Sequence, residues 1–292
     1  MPSLQTWIMA SRPKTLPAAV APVLVGTAMA AADGACVASI AIAALLAALA
    51  IQVGTNFAND YFDFLHGADT PDRKGPTRVT QAGLVSLVGM RWAITLSFFI
   101  AAALGLFLVY HGGWPILLIG VLSILAGIFY TAGPRPLGYI GLGDILVLVF
   151  FGFVAVGGTY YLQTGSINAL VLLAGAGPGL LSTAILAVNN LRDRETDLQT
   201  GKRTLAVRFG SRFARGEYLV TILAAAALPV VLCLLTRAHY LSLLAVVGLL
   251  PVVPALRRVM QGATGPALNV TLAATGRALF LYSLAFAIGW LL

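Results

Sequence analysis

Apolar residues run through this chain in long blocks, each ended by a few polar or turn-forming residues. A helix needs about 20 such residues to cross the hydrocarbon core of a bilayer. Nine blocks meet that length, at roughly 13–32, 36–64, 90–110, 114–132, 141–162, 167–191, 214–236, 239–257 and 272–292. The breaks between them fall into two kinds. Asp33-Gly34, His111-Gly112-Gly113, Thr164-Gly165-Ser166 and Arg237-Ala238-His239 are short, whereas 65–89, 133–140, 192–213 and 257–271 are longer. The pattern predicts an all-α, polytopic membrane protein with nine transmembrane helices, forming a single domain over residues 1–292.

Composition strengthens this reading. Only 10% of the 292 residues are charged and 59% are hydrophobic, against about a quarter charged in soluble domains. Met1–Ser11 lacks the basic start of a cleaved signal, and the apolar stretch after Pro13 is too long for its core. Cys36 and Cys233 read as small packing residues, with no disulfide or metal framework. Of the 18 Lys and Arg, 16 lie at the N-terminus, in the longer breaks or within two residues of them; Arg237 and Arg277 are the exceptions. By the positive-inside rule the longer breaks face the cytoplasm, with the N-terminus inside and the C-terminus outside a cytoplasmic (inner) membrane. The net charge of +8 is then a topology signal. A nucleic-acid partner is not expected, because the cations are confined to short membrane-proximal loops.

The acids change the picture from architecture to chemistry. Seven of the ten fall in two short patches, residues 56–78 and 189–204. Asn56, Asn59, Asp60 and Asp63 stand at i, i+3, i+4 and i+7, on one helical face. Asn189, Asp193 and Asp197 stand at i, i+4 and i+8, again on one face. Carboxylates clustered at membrane depth repel each other and persist only beside positive charge. Hard oxygen ligands without His or Cys suit Mg²⁺, which typically takes one or two carboxylates and the oxygens of a phosphorylated substrate. Cations follow each patch: Arg73, Lys74 and Arg78 after the first, Lys202, Arg203 and Arg208 after the second. Acid and base together read as a metal-bridged phosphate site. The two patches also resemble each other, four spans apart, as an internal repeat would require.

Plainer readings exist for each element alone. A single Asp at a helix end beside an Arg is usually a solvated ion pair; six Asp with four Asn in two patches favour function. Glu195 lies off the Asp193/Asp197 face and pairs with a loop cation or with solvent. His66, His111 and His239 are scattered at loop edges and form no metal triad, and no nucleophile elbow or P-loop is present. The segment Y-T-A-G-P-R-P-L-G-Y-I-G-L-G-D at 130–144 is either a Gly/Pro turn or an acceptor site in which Arg135 sits between Tyr130 and Tyr139. Arg12 and Lys14 serve either as a topology anchor or as a contact to the substrate.

N-D-Y-F-D at 59–63 and N-L-R-D-R-E-T-D at 190–197, in a chain of nine spans, resemble the UbiA superfamily of intramembrane prenyltransferases. R-P-K-T-L-P at 12–17, P-D-R-K-G-P at 71–76, the 130–144 segment, V-F-F-G at 149–152 and G-K-R-T-L-A-V-R-F-G at 201–210 make the chain similar to the branch that prenylates 1,4-dihydroxy-2-naphthoate in menaquinone synthesis. The resemblance extends to about residue 212. It departs in the first motif, where the position four after Asp63 is Gly67, so either Asp69 or Asp72 supplies the third carboxylate.

The resemblance implies nine helices around a central cavity, capped by loops and short helices on the cytoplasmic side. Its implied metal ligands are Asn56, Asn59, Asp60, Asp63, Asp69, Asp72, Asn189, Asp193 and Asp197, holding two Mg²⁺. Asp60, Asp63, Asp193, Asp197, Lys14 and Arg78 would be catalytic. Lys14, Arg73, Arg78, Lys202 and Arg203 would hold the diphosphate, and Arg135, Tyr130 and Tyr139 the acceptor. The substrates would be polyprenyl diphosphate and 1,4-dihydroxy-2-naphthoate, with the tail among apolar and aromatic residues of the spans, open sideways to lipid, and segments 65–89 and 192–212 excluding water. A 4-hydroxybenzoate or homogentisate prenyltransferase, and a cation-coupled transporter, are the alternatives. Prenyl chain length and oligomeric state stay open.

Overall fold

The computed structural model describes residues 2–69 and 74–292, and among them every regular element is helical. The helices are α1 (Leu4–Ser11), α2 (Pro17–Ala32), α3 (Ala38–Leu65), α4 (Leu87–Phe129), α5 (Gly143–Thr164), α6 (Ala169–Gln199), α7 (Leu205–Thr236), α8 (Tyr240–Val247), α9 (Val252–Met260) and α10 (Leu268–Leu291). Local chemistry sets their ends. Ser86 and Asn168 accept hydrogen bonds from the Gly89 and Val171 amides at the starts of α4 and α6. Gly165, at φ 72°, ends α5 in the left-handed region that glycine enters at little cost.

Six helical segments are long and apolar enough to cross a membrane: α3, α4, α5, α6, α7 and Gly265–Leu291. The count reaches eight if two bent pairs each make one span. These are Leu4–Thr15 with α2, bent by 53°, and α8 with α9, bent by 51°. The protein is therefore a multi-pass membrane protein. At 1.5 Å per residue α4 would measure about 65 Å, twice the hydrocarbon thickness. It breaks instead at Gly113, where the backbone leaves helical geometry (φ 68°, ψ −159°). A Cβ at Gly127, late in α4, would lie 3.7 Å from Phe98 Cζ, early in the same helix, so its two halves fold back on each other.

The acid-bearing helices are longer than their apolar blocks. α6 runs to Gln199 rather than 191, so the second patch is helical up to Asp197. α7 starts at Leu205 rather than 214, with a break at Gly210 (φ 86°). Polar side chains with helical periodicity extend a span beyond its hydrophobic limit, and a hydropathy reading stops too early for that reason.

Most of the core lies among α2, α5, α6, α7 and α10, where Val25, Leu181, Tyr218, Leu232 and Leu279 are wholly buried. Two buried tyrosine hydroxyls there are satisfied internally, as an apolar interior favours. Tyr218 Oη meets Thr275 Oγ1 at 2.8 Å, and Tyr282 Oη donates to the Ala225 carbonyl at 3.0 Å. α5 contains a π-helical stretch, Val149–Val154, where its backbone touches α6 through Gly152, Gly175 and Gly179. A smaller cluster of Ala10, Phe57, Val79, Val85 and Met90 packs the segment before α4 onto α1 and α3.

The tightest backbone approach carries a stability prediction. A Cβ on Gly289 would fall inside the Leu241 carbonyl and 2.6 Å from Ser242 N, both backbone atoms that cannot turn aside. Gly289→Ala is expected to cost about 1–3 kcal/mol, read as a lower unfolding temperature of the detergent-solubilised protein. Gly216→Ala, where a Cβ meets nothing within 4 Å, is the matched control.

Candidate active site

The two acid patches meet. Asn56, Asn59, Asp60, Asp63, Asn189, Asp193 and Asp197 all line one cavity of about 840 Å³. Its polar end lies between the C-terminal halves of α3 and α6, as their helical faces require. The remainder is lined by apolar residues of α2, α3, α4 and α5, among them Ala47, Ile51, Leu108, Ile124 and Phe150.

Asp60 and Asp63 of the first patch are each tied to segments beyond their own helix. Asp60 is buried and accepts from the Val79 and Thr80 amides, at 3.1 and 3.0 Å. Those two bonds fold the segment after residue 74 back over the end of α3. Asp63 is equally buried and gathers three donors: Arg78 Nη2 at 2.9 Å, Tyr139 Oη at 2.7 Å and Lys202 Nζ at 3.1 Å. Lys202 also stands 4.5 Å above the centre of the Tyr139 ring. Burial, reinforced by the Asp63 carboxylate, pushes the Tyr139 phenol far above its ordinary value, so it remains a donor to Asp63. Asn56 Nδ2 donates to the Ser11 carbonyl and to Thr15 Oγ1, at 2.9 and 3.1 Å. Asn59 Oδ1 accepts from Thr131 at 3.0 Å.

In the second patch one cation dominates. Arg192 holds Asp193 through two bonds, Nε to Oδ1 at 2.8 Å and Nη2 to Oδ2 at 2.6 Å. It also reaches Asn189 Oδ1 at 2.8 Å and Asn269 Oδ1 at 2.9 Å. Glu195 is solvent-exposed and pairs with Lys74, off the site face as its spacing required.

The remaining expected residues divide. Lys14, Arg78, Lys202, Tyr130 and Tyr139 line the cavity, and Arg12 joins them with a left-handed backbone, φ 52°. Arg203 and Arg135 do not line it. Both side chains are exposed, because the Arg203 amide is bound to the Tyr139 carbonyl at 2.7 Å and Arg135 rides the outside of a turn between two prolines. Asp69 is buried yet absent from the lining: it faces Arg78, with Nε 3.2 Å away. Asp72 and Arg73 lie outside the described residues. Two lining residues, Arg192 and Asn269, escape the sequence reading. Arg192 counts there only as a loop charge, and Asn269 is a single polar residue at the start of the last apolar block.

The donor set bears directly on metal binding. Among the described residues no three acidic, His or Cys side chains converge on one point. Among those residues, acidic, His and Cys side chains alone therefore form no metal cage. Oxygen ligands from two facing patches, with cations between them, fit instead a hard divalent ion that completes its shell with phosphate and water.

Residues 19–284 match the model of the UbiA prenyltransferase family. The chain belongs to that family. A relative from Escherichia coli, named 1,4-dihydroxy-2-naphthoate octaprenyltransferase, is 44% identical over 217 residues, covering 72% of this chain and 70% of its own. A relative of the same name from Mycobacterium leprae is 38% identical over 287 residues, covering 98% of this chain and 96% of its own. The solved structure of a UbiA homolog from Archaeoglobus fulgidus bound to GPP and Mg²⁺ superposes with a TM-score of 0.68, covering 98% of this chain and 99% of that one. At 15% identity it establishes a shared UbiA fold.

Proposed function

We propose that this enzyme transfers a polyprenyl group from polyprenyl diphosphate to 1,4-dihydroxy-2-naphthoate, releasing CO₂ and diphosphate and giving demethylmenaquinol for menaquinone synthesis. The observation that carries it is a single cavity with acids and cations at one end and an apolar interior, a shape matched to a molecule with a charged head and a hydrocarbon tail. The relatives named above supply the acceptor.

Asp60, Asp63, Asp193 and Asp197, with Asn56, Asn59 and Asn189, are the residues that would hold two Mg²⁺, one for each patch. Mg²⁺ held there would neutralise charge on the diphosphate leaving group. Lys14, Arg78 and Lys202 would clamp the phosphate oxygens in a preorganised positive field. The allylic C–O bond breaks, and the ring carbon bearing the carboxylate forms the new C–C bond. Loss of CO₂ returns its electron pair to the ring, so no base is required. Tyr130 and Tyr139 stand at the polar end, where an aromatic acceptor would enter. Excluding water protects the allylic cation, a role suited to the segment pinned by Asp60.

The same proposal extends to topology. Counting the two halves of α4 separately and each bent pair once supports nine spans. The cation distribution supports an inner-membrane location with the site, and its cap of loops and α1, at the cytoplasmic face.

Membranes carrying the protein, given a radiolabelled prenyl diphosphate, are expected to prenylate dihydroxynaphthoate and neither 4-hydroxybenzoate nor homogentisate. Product with hydroxybenzoate alone would overturn the acceptor.

The tail makes a separate prediction. Gly105 and Gly120, one on each half of α4, line the cavity, and a Cβ on either would meet nothing within 4 Å. Leu106 and Leu117 line it while 68% and 49% exposed, so the cavity reaches the outer flank of the protein there. A long tail would pass between these halves into lipid. Gly120→Phe is expected to lower transfer from octaprenyl diphosphate about tenfold while sparing geranyl diphosphate. Equal loss with both donors would place the tail elsewhere.

A further inference from the structure

Arg192 is bound in a way that its place on the helix does not favour. Adjacent helical residues point about 100° apart and do not face each other, yet its guanidinium curls round α6 to grip both oxygens of Asp193. Such a long side chain loses rotamer freedom when fixed, so the pose needs support. Asn189 and Asn269 supply it, and Arg192 is 3% exposed. The support comes from two helices: Asn189 from α6 itself and Asn269 from α10, whose Nδ2 also donates to the Lys74 carbonyl at 3.3 Å.

The arrangement solves one electrostatic problem and creates another. A carboxylate buried at the end of a membrane span is costly without a counter-charge, and Arg192 provides it. The same grip occupies Asp193 where a metal ion would bind. Asp63 is held in the same manner by Arg78 and Lys202. Guanidinium is built to exchange such partners, because its planar fork fits carboxylate and phosphate equally well.

We propose that Arg192 is a diphosphate-binding residue held in reserve: it guards Asp193 in the empty site and moves to phosphate oxygens when the metal diphosphate arrives, with Asn269 as the pivot that positions it. No buried charge is left uncompensated at either stage, since Asp193 exchanges a guanidinium for the metal as Arg192 exchanges a carboxylate for phosphate. This rests on the reading of the cavity as a metal-diphosphate site.

The test separates the two roles by their opposite signs. Purified full-length protein would be titrated with Mn²⁺ alone, read by electron paramagnetic resonance, and then with inorganic pyrophosphate in the presence of Mn²⁺. Arg192→Gln is expected to bind Mn²⁺ alone about threefold more tightly and pyrophosphate about tenfold more weakly than wild type. Arg192→Lys, which keeps charge and loses the fork, should fall between them. Asn269→Ala should weaken pyrophosphate binding several-fold without weakening Mn²⁺ binding, and Asn269→Gln should restore part of the loss. Unchanged or weaker Mn²⁺ binding in Arg192→Gln would overturn the guarding role, and unchanged pyrophosphate binding would overturn the phosphate role. Should Arg192→Gln not fold, Arg192→Lys and Asn269→Ala decide on the same two readouts. A wild-type protein that binds neither probe would refute the metal-diphosphate reading itself.

Discussion

Asp63→Asn is expected to lower prenyl transfer by about a thousandfold. Asp63 is the point where three segments converge on the cavity, through Arg78, Tyr139 and Lys202. Asparagine keeps the size of the side chain and one acceptor oxygen, but it removes the charge that aligns both cations and would hold the metal. Arg78 retains Asp69 as a partner, so the fold should survive and the loss should appear in kcat. Steady-state turnover with dihydroxynaphthoate, set beside the unfolding temperature of the purified variant, checks both parts. A variant that kept more than about a tenth of wild-type turnover would remove the metal-site argument, because no preorganised charge of this kind is worth so little. Asp193→Asn should behave alike in turnover.

The second large effect falls on stability. Arg78 lies between two buried acids: its side chain is 7% exposed, and those of Asp63 and Asp69 are 4% and 0% exposed. Arg78→Met leaves Asp69 with no cation from this pair and Asp63 with Lys202 alone. Removing one partner of a buried ion pair costs about 3–5 kcal/mol, chiefly because the other charge stays buried. The segment carrying Arg78 also supplies the Val79 and Thr80 amides that bind Asp60, so its loosening would uncover the cavity. A marked fall in unfolding temperature, faster proteolysis near residues 74–86 and loss of transfer are expected together. Arg78→Lys should recover only part of the stability, since one ammonium cannot serve both carboxylates in a fork. An Arg78→Met protein that melts with the wild type would show that the Asp63–Arg78–Asp69 cluster contributes nothing net.

Much of this protein is legible in its amino-acid sequence. Apolar blocks of membrane length place nearly every long helix, because the bilayer demands it and the demand is written in consecutive residues. The faces carrying Asn56, Asp60 and Asp63, and Asn189, Asp193 and Asp197, follow from 3.6 residues per turn alone. Their likeness implies that they share a site, and the tertiary structure brings them to one cavity.

What periodicity does not reach is the identity of each partner. Lys202 and Arg203 are adjacent and chemically alike, yet only Lys202 reaches Asp63, because the chain is turned there by the bond from the Arg203 amide to Tyr139. Asp69 is a candidate metal ligand by resemblance and, in the folded chain, faces Arg78. In the 130–144 segment Tyr139 enters the site and Arg135 does not, although the sequence favours neither over the other. Arg192 stands one position off the acid face, so helical geometry argues against it, and Asn269 lies in a part of the chain where only hydrophobicity is informative. The helices, the two acid faces and the kind of ligand they suit are set locally, since each depends on neighbours a few residues apart. Which cation answers which carboxylate is set by the folded chain. A long Lys or Arg side chain takes its partner from whatever folding brings within reach, and in this chain those partners arrive from as many as 139 residues away.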